Sequence, residues 1–310
     1  MSILFASHGD DPQTWAAALR EAGCTLPLTA DLPSAPDAAI RYLLAWQPPA
    51  GLYDHLPGLR AIFSLGAGVD HLFANGPTPP SVPIIRLRDA GMGRQMAEYA
   101  LWAVIAHHRR MHAYHRLQQE RRWNPLPVRA AEEIRVLILG LGVLGTAVAR
   151  AVAMHGYHVS GWARRPKHIA DVKCLHGRPA LEKALNQTDV LINLLPLTDE
   201  TRGMIDRALF SQMKPGACFV NIARGDHVVE QDLLQALDTG ILEHAILDVF
   251  SDEPLPGDHP FWSHPAITIT PHVAARTLIG PSARQIATNI AIFEAGGMPP
   301  EGIVDPGQGY

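Results

Sequence analysis

The stretch "VLILGLGVLGTAVARAVAM", Val136 to Met154, decides the fold. It is nearly apolar and about the length of a membrane span, yet it carries spaced glycines and Arg150. A strand, a tight turn and a helix account for it better. "GLGVLG", Gly140 to Gly145, matches G-x-G-x-x-G directly after "RVLIL" and before "TAVARAVAM". Gly140 permits the tight turn, Gly142 lets backbone approach a pyrophosphate, and Gly145 lets helix and strand pack closely. The helix N-terminus then offers unpaired N–H groups and positive potential to phosphates. A lone glycine pattern is weak, since a tight turn in a core produces it too; the strand-turn-helix setting points to a dinucleotide. Gly140, Leu141, Gly142, Val143, Leu144 and Gly145 are therefore assigned to the cofactor.

About twenty residues on, an NAD-specific site places an acid against the ribose hydroxyls. Here the second strand ends "GWARRPKH", with no Asp or Glu between Gly156 and Ala170. Arg164, Arg165 and Lys167 follow Ala163 instead, and a planar guanidinium suits a 2′-phosphate. This predicts a preference for NADP(H), with NAD(H) possible as a second cofactor.

Outward from this unit, short apolar runs alternate with helical patterns, as in parallel sheets covered on both faces. A first group comprises "ILFAS" at 3, "TLPLT" at 25, "IRYLLAW" at 40, "AIFSL" at 61 and "PIIRL" at 83. A second comprises "RVLILG" at 135, "HVSGWA" at 158, "DVLINLLP" at 189, "ACFVNIA" at 217, "AILDVF" at 245 and "ITIT" at 267. Segment 93–123 lacks proline and internal glycine and reads as one long helix linking the domains; another helix is expected over 281–295. The expected architecture is α/β, with two doubly wound parallel-sheet domains. A Rossmann NAD(P)-binding domain, 96–276, is inserted into a flavodoxin-like substrate domain, 1–95 and 277–310, with hinges near Gln95 and Thr277.

The 310 residues, 47% of them hydrophobic, suffice for two cores. A net charge of −4 gives no positive field to recruit nucleic acid or anionic membrane. Cys24, Cys174 and Cys218 are widely spaced with no C-x-x-C pair, which fits a reduced cytoplasm, and no secretory leader is read at "MSILFASHGDD". His108 and His112 have a metal-compatible i, i+4 spacing, but no H-E-x-x-H acid accompanies them, so no metal is expected.

Three segments after strands of the second group carry side chains that can act together: "NIARG" at 221, "LDVFSDEP" at 247 and "TPHV" at 270. In a doubly wound sheet the carboxyl ends of strands face the ligand crevice. Arg224, Glu253 and His272 each lie just beyond such an end. Arg224 or Glu253 alone would ordinarily be a surface charge; the order and placement of all three carry the argument.

With these residues the chain resembles the D-isomer-specific 2-hydroxyacid dehydrogenases, which carry an Arg, a Glu and a His in this order. The resemblance runs from "LGAGVD" at 65 through "GLGVLG" and "LLPLTDET" at 194 to "TPH". "WQPP" at 46, "GMGRQMAEY" at 91, "WNPLP" at 123 and the Gly-Tyr chain end resemble its glyoxylate/hydroxypyruvate reductase A branch. The resemblance implies that His272 donates a proton to the alkoxide left by hydride delivery, that Glu253 orients the ring and favours its charged form, and that Arg224 holds the substrate carboxylate and polarises the keto oxygen. It further implies that backbone N–H groups of Ala67, Gly68 and Val69 bind the same carboxylate and that Trp46 excludes long substrate chains. Asp248 would accept from the nicotinamide carboxamide, with Leu195, Pro196, Thr201, Ile222 and Ala223 lining the cofactor cleft. Arg94 and Arg276 lie near these segments without an assigned role. The implied activity is reduction of glyoxylate and hydroxypyruvate by a homodimer that pairs through 93–127. The rival readings are a reductase of larger keto acids and a non-catalytic nucleotide-sensing corepressor.

Overall fold

The computed structural model describes residues 1–7 and 9–305. His8 and the Gly-Tyr chain end lie outside the described residues. The chain divides into two compact units, residues 1–91 with 277–310, and residues 92–276. The first division thus falls at Gly91/Met92, ahead of the Gln95 boundary expected from sequence.

The first unit opens with β1 (Ser2–Ser7), α1 (Pro12–Glu21), β2 (Leu28–Thr29), β3 (Ile40–Trp46), β4 (Ala61–Ser64), α2 (Asp70–Phe73) and β5 (Ile84–Ile85). Its five strands are parallel and ordered β2-β1-β3-β4-β5, the flavodoxin-like order. Leu4, Ile40, Leu43, Ile62 and Leu72 form the core on one side of this sheet. On α1, Asp11 caps the helix by accepting from the Gln13 and Thr14 N–H groups, and Trp15 and Leu19 are buried.

The second unit contains α3 (Met92–His108), α4 (Met111–Gln119), β6 (Arg135–Leu139), α5 (Val143–Met154), β7 (His158–Trp162), β8 (Lys173–Leu175), α6 (Arg178–Leu185), β9 (Val190–Asn193), α7 (Arg207–Phe210), β10 (Ala217–Asn221), α8 (Glu230–Asp238), β11 (Leu242–Leu247) and β12 (Ile267–Ile269). The final helix, α9 (Ile279–Glu294), belongs to the first unit, where it packs on α1. Arg60 and Tyr42 both reach its Glu294, at 2.9 and 2.5 Å.

The second sheet is parallel and ordered β12-β11-β10-β9-β6-β7-β8. It has seven strands where six were expected. The extra one, β8, is "KCL", too short and too exposed to register as an apolar run. Alternation explains the layers: Val136, Ile138, Val190, Ile192 and Val220 face α3 and α5, while Leu137, Leu139, Leu191, Phe219 and Leu247 face α6 to α8. The order reverses between β6 and β9, and a doubly wound sheet opens its ligand crevice at such a reversal.

Segment 93–123 is two helices. Arg110 adopts a left-handed conformation, φ 54° and ψ 38°, and breaks the run. Tertiary contacts compensate: Arg110 pairs with Glu243 at 3.4 Å, and α4 brings the His112 ring onto His244 of β11, 4.8 Å between centroids. His108 and His112 therefore sit on separate helices; His108 bonds Tyr157 and the Arg129 carbonyl oxygen. No group of three or more His, Cys, Asp or Glu side chains among the described residues is arranged to hold a metal ion. Nor is any helix among them long and apolar enough to cross a membrane.

Candidate active site

The glycine loop follows β6 as its spacing requires. Gly140 has φ +97°, and a Cβ there would lie 2.5 Å from the Leu194 carbonyl oxygen, so the loop presses directly on the segment after β9. A Cβ on Gly145 would stand 1.9 Å from the Gly140 carbonyl oxygen, which accounts for glycine where α5 crosses its own loop. Gly142 differs from both. It precedes the first turn of α5, and a Cβ added to it meets nothing within 4 Å. Packing inside the chain gives no reason for glycine at 142. A ligand approaching the unpaired N–H groups of α5 does, and the residues present thus fit a dinucleotide pyrophosphate.

Beyond β7, Ala163 is buried and its N–H bonds the Leu175 carbonyl oxygen at 3.0 Å, while Arg164 and Arg165 are exposed. The Lys167 ammonium donates to the Leu141 carbonyl oxygen, tying this basic turn to the glycine loop. After β9, Leu195 is buried and the Pro196 carbonyl oxygen accepts from the Thr201 hydroxyl at 2.7 Å. After β10, Ile222 and Ala223 are buried. These segments all lie at the carboxyl ends of strands in one sheet.

Three loops at that end hold the candidate catalytic side chains. His272 Nδ1 stands 2.7 Å from Glu253 Oε2, and Glu253 Oε1 accepts the Phe250 N–H at 2.9 Å. Burial alone would raise the Glu253 carboxyl. The hydrogen bond and charge of His272, the Phe250 N–H and the charge of Arg224 outweigh it and hold the group below its ordinary value. An ionised carboxylate only accepts, so Nδ1 carries the proton of this bond and Nε2 is the nitrogen left for chemistry. Arg224 is drawn to the same place by its neighbour: a Cβ on Gly225 would lie 1.9 Å from the Phe250 carbonyl carbon. Only glycine lets the loop after β10 lie against the loop that carries Glu253.

His272 itself has φ 52°, in the left-handed region. Its N–H donates to the Asp248 carbonyl oxygen at 2.8 Å. The Asp248 carboxylate, 1% exposed, accepts from the Thr270 hydroxyl at 2.6 Å and from the Val273 and Ala274 N–H groups at 2.9 and 2.8 Å. Asp248 therefore fixes the turn that presents His272, a role beyond the carboxamide contact that the family resemblance implies. The signal was there: an acid inside an apolar strand needs internal donors.

Ala67, Gly68, Val69 and Trp46 belong to the first unit. Their turn is held by Ser64, whose hydroxyl donates to the Gly68 carbonyl oxygen at 2.8 Å and accepts the Gly66 N–H at 3.2 Å. His71 Nε2 lies 3.0 Å from the Ser64 hydroxyl oxygen and its Nδ1 accepts the Gln47 N–H at 3.2 Å. The Trp46 ring packs on His71, 4.0 Å between centroids and tilted by 34°, and a Cβ on Gly66 would come within 2.6 Å of it. Ser64 and His71 went unmarked in the sequence, since neither has a spacing that distinguishes it. In the second unit, Gln95 exchanges hydrogen bonds with the Arg276 backbone, at 2.9 and 3.2 Å, and Arg94 pairs with Glu98.

A glycine loop at a parallel-sheet reversal, and a carboxylate hydrogen-bonded to a histidine at the carboxyl ends of the same sheet, are the features of a dinucleotide-binding unit equipped for proton transfer. Comparison with known proteins agrees. Residues 101–274 match the profile described as "D-isomer specific 2-hydroxyacid dehydrogenase, NAD binding domain". A glyoxylate/hydroxypyruvate reductase A from Serratia proteamaculans is 42% identical over 315 residues, covering 100% of both chains. Among solved structures, a D-isomer specific 2-hydroxyacid dehydrogenase from Xanthobacter autotrophicus Py2 in complex with NADPH and MES superposes with TM-score 0.94 at 40% identity, covering 100% of this chain and 99% of that one. An NADPH-dependent glyoxylate/hydroxypyruvate reductase from Sinorhizobium meliloti, in complex with NADP and sulfate, gives TM-score 0.92 at 34% identity and full coverage of both. The chain belongs to the D-isomer specific 2-hydroxyacid dehydrogenase family.

Proposed function

We propose that this chain is an NADPH-preferring reductase of small 2-keto acids, converting glyoxylate to glycolate and hydroxypyruvate to D-glycerate. The observation that carries the reading is the 2.7 Å contact of His272 Nδ1 with Glu253, at the carboxyl ends of the same sheet as the glycine loop. NADPH, when bound, supplies the hydride. The residues Gly140 to Gly145 would hold its pyrophosphate, Arg164 and Arg165 its 2′-phosphate, and Leu195, Pro196, Thr201, Ile222 and Ala223 its nicotinamide half. The remaining lone-pair position of the Asp248 carboxylate is assigned to the carboxamide.

The chain's own part is binding and proton transfer. Arg224 takes the substrate carboxylate in a bidentate pair and draws charge from the keto oxygen. His272 Nε2–H gives its proton to that oxygen as negative charge develops, and Glu253 stabilises the imidazolium beforehand. In oxidation the neutral Nε2 takes the proton back. The N–H groups of Ala67, Gly68 and Val69 are assigned to the carboxylate as well, and Trp46 to limiting substrate length. Support comes from the Ser64 and His71 bonds that fix both.

We also propose a cytoplasmic homodimer. Cys24, Cys174 and Cys218 are unbridged, consistent with a reducing compartment. Trp123 is fully exposed, and Trp102, Ile105, Met111 and Val128 expose apolar surface over the same region, α3 to the arm after α4. Steady-state assays with NADPH and NADH, over glyoxylate, hydroxypyruvate and phenylpyruvate, test the activity. Higher catalytic efficiency with the first two substrates and NADPH is expected, and a maximum on phenylpyruvate overturns the small-substrate reading. Light scattering at micromolar concentration is expected to give twice the 33.7 kDa chain mass; a monomer overturns the dimer.

A further inference from the structure

Beneath the strand ends that carry the site lies a polar cluster in an otherwise apolar layer. Asn193 and His227 are 0% exposed and Asn221 is 1% exposed. Their hydrogen bonds close on one another. Asn193 Nδ2 lies 3.0 Å from Asn221 Oδ1 and 3.0 Å from His227 Nδ1. The remaining bonds all end on backbone: Leu195 N–H to Asn193 Oδ1 at 3.2 Å, Ala223 N–H to Asn221 Oδ1 at 3.3 Å, and Asn221 Nδ2 to the Arg224 carbonyl oxygen at 2.8 Å. His227 Nε2 stands 3.2 Å from the Pro196 carbonyl oxygen; Nδ1 also stands 3.1 Å from the Arg224 carbonyl oxygen, which becomes a hydrogen bond only if Nδ1 carries a proton and which otherwise takes its donor from Asn221 Nδ2.

The protonation state follows from these partners. The Leu195 N–H fixes Asn193 with its oxygen toward that donor, so the Asn193 amide points its N–H at His227 Nδ1. Nδ1 is therefore an acceptor, and the proton resides on Nε2, donated to Pro196. Burial, the leading cause, holds the ring below the ordinary histidine value, in keeping with a neutral imidazole.

A buried polar network costs stability relative to an apolar plug unless every group is satisfied. This one is satisfied, and its outward ends are the backbone of Leu195, Pro196, Ala223 and Arg224. Those four residues flank or belong to the proposed site, and Gly225 lets the same loop lie against the Phe250–Ser251 backbone, in the loop that carries Glu253. We infer that His227 is a positioning residue: its neutral Nε2–H form ties the loop after β9 to the loop after β10 and so sets where Arg224 presents its guanidinium. The inference rests on the keto-acid reductase reading, because Arg224 is the group whose placement it explains.

The test uses the full-length enzyme carrying His227→Phe, which keeps a planar ring without nitrogens, and His227→Gln, which restores a donor or an acceptor. The expected result for His227→Phe is a rise in KM for glyoxylate of about tenfold or more, the scale of one lost hydrogen bond, with a parallel weakening of inhibition by a keto-acid analogue such as oxamate. His227→Gln is expected to fall between that variant and wild type, and decides the matter alone if His227→Phe does not fold. Without cofactor, imidazole nitrogen NMR is expected to show an Nε2–H resonance that vanishes in both variants. Wild-type KM in the folded variants, or an Nδ1–H tautomer, overturns the inference. If wild-type enzyme turns over no 2-keto acid, the activity reading has failed instead, and the tautomer measurement still judges the network.

Discussion

Replacing Asp248 by Asn changes little in shape, and the structure assigns that change a definite cost. The wild-type carboxylate accepts three hydrogen bonds, from Thr270, Val273 and Ala274, at 2.6 to 2.9 Å. An Asn oxygen at the Oδ1 position keeps the first two but turns an amide N–H₂ toward the Ala274 N–H; the opposite rotamer keeps Ala274, lets the Thr270 hydroxyl accept instead of donate, and leaves the Val273 N–H without its acceptor. Either way one buried donor or more loses its acceptor, at about 1–3 kcal/mol, and the bonds that remain lose the assistance of charge, worth about 1 kcal/mol. The expected destabilisation is about 2–4 kcal/mol, concentrated in residues 270–274 rather than spread through the chain. Because unfolding of a two-unit protein need not be two-state, the informative assay is amide hydrogen exchange. Val273 and Ala274 should lose about two to three orders of magnitude in protection while β1 and β3 of the first unit stay unchanged. Unaltered protection at both amides would refute the claim that Asp248 builds the turn presenting His272.

Other consequences are equally direct. Gly142→Ala should fold with wild-type thermal stability, because a Cβ there meets nothing, yet bind NADPH at least about tenfold more weakly by fluorescence titration. Gly145→Ala, with a Cβ 1.9 Å from backbone, should lose soluble expression or melt well below wild type by calorimetry. Arg164→Ala combined with Arg165→Ala should raise KM for NADPH about tenfold and leave that for NADH within about twofold; equal changes for both would remove the 2′-phosphate assignment. Burial holds His107 at about 4 and His244 at about 3, below the unfolded histidine value. The unfolded chain therefore takes up protons that the folded one refuses as pH falls from about 6.5 to 4. Stability should be flat above that window and drop by about 1–3 kcal/mol per pH unit within it, and His244→Gln should flatten the slope in urea titrations.

The parts of this molecule that were legible in its sequence are those where a local constraint leaves a local mark. Gly140 and Gly145 mark a turn and a helix crossing, each needing the absence of a side chain, and Gly142 stands where the proposed pyrophosphate would approach. Arg224, Glu253 and His272 were visible because a strand pattern precedes each one. What stayed hidden depends on distant partners. The break at Arg110 follows from Glu243 and His244, more than a hundred residues away, and nothing in "HHRRMH" announces it. Strand β8 is held by pairing with β7 rather than by its own hydrophobicity. His227, Ser64 and His71 gain their places only when strand ends converge, since a buried histidine carries the same letter as an exposed one. Gly225 is intermediate: it stands within "NIARG", but its reason is the backbone of Phe250 beside it.

In the proposed reaction His272, oriented by Glu253, supplies the proton. Asn at position 272 tolerates the left-handed backbone found there and lacks a transferable proton, so His272→Asn isolates the chemistry from the turn. With NADPH and glyoxylate, measured in stopped-flow or steady state, kcat should fall by about 10² to 10⁴ while NADPH affinity stays within about twofold. A variant that turns over glyoxylate at a rate within about threefold of wild type would rule out His272 as the proton donor.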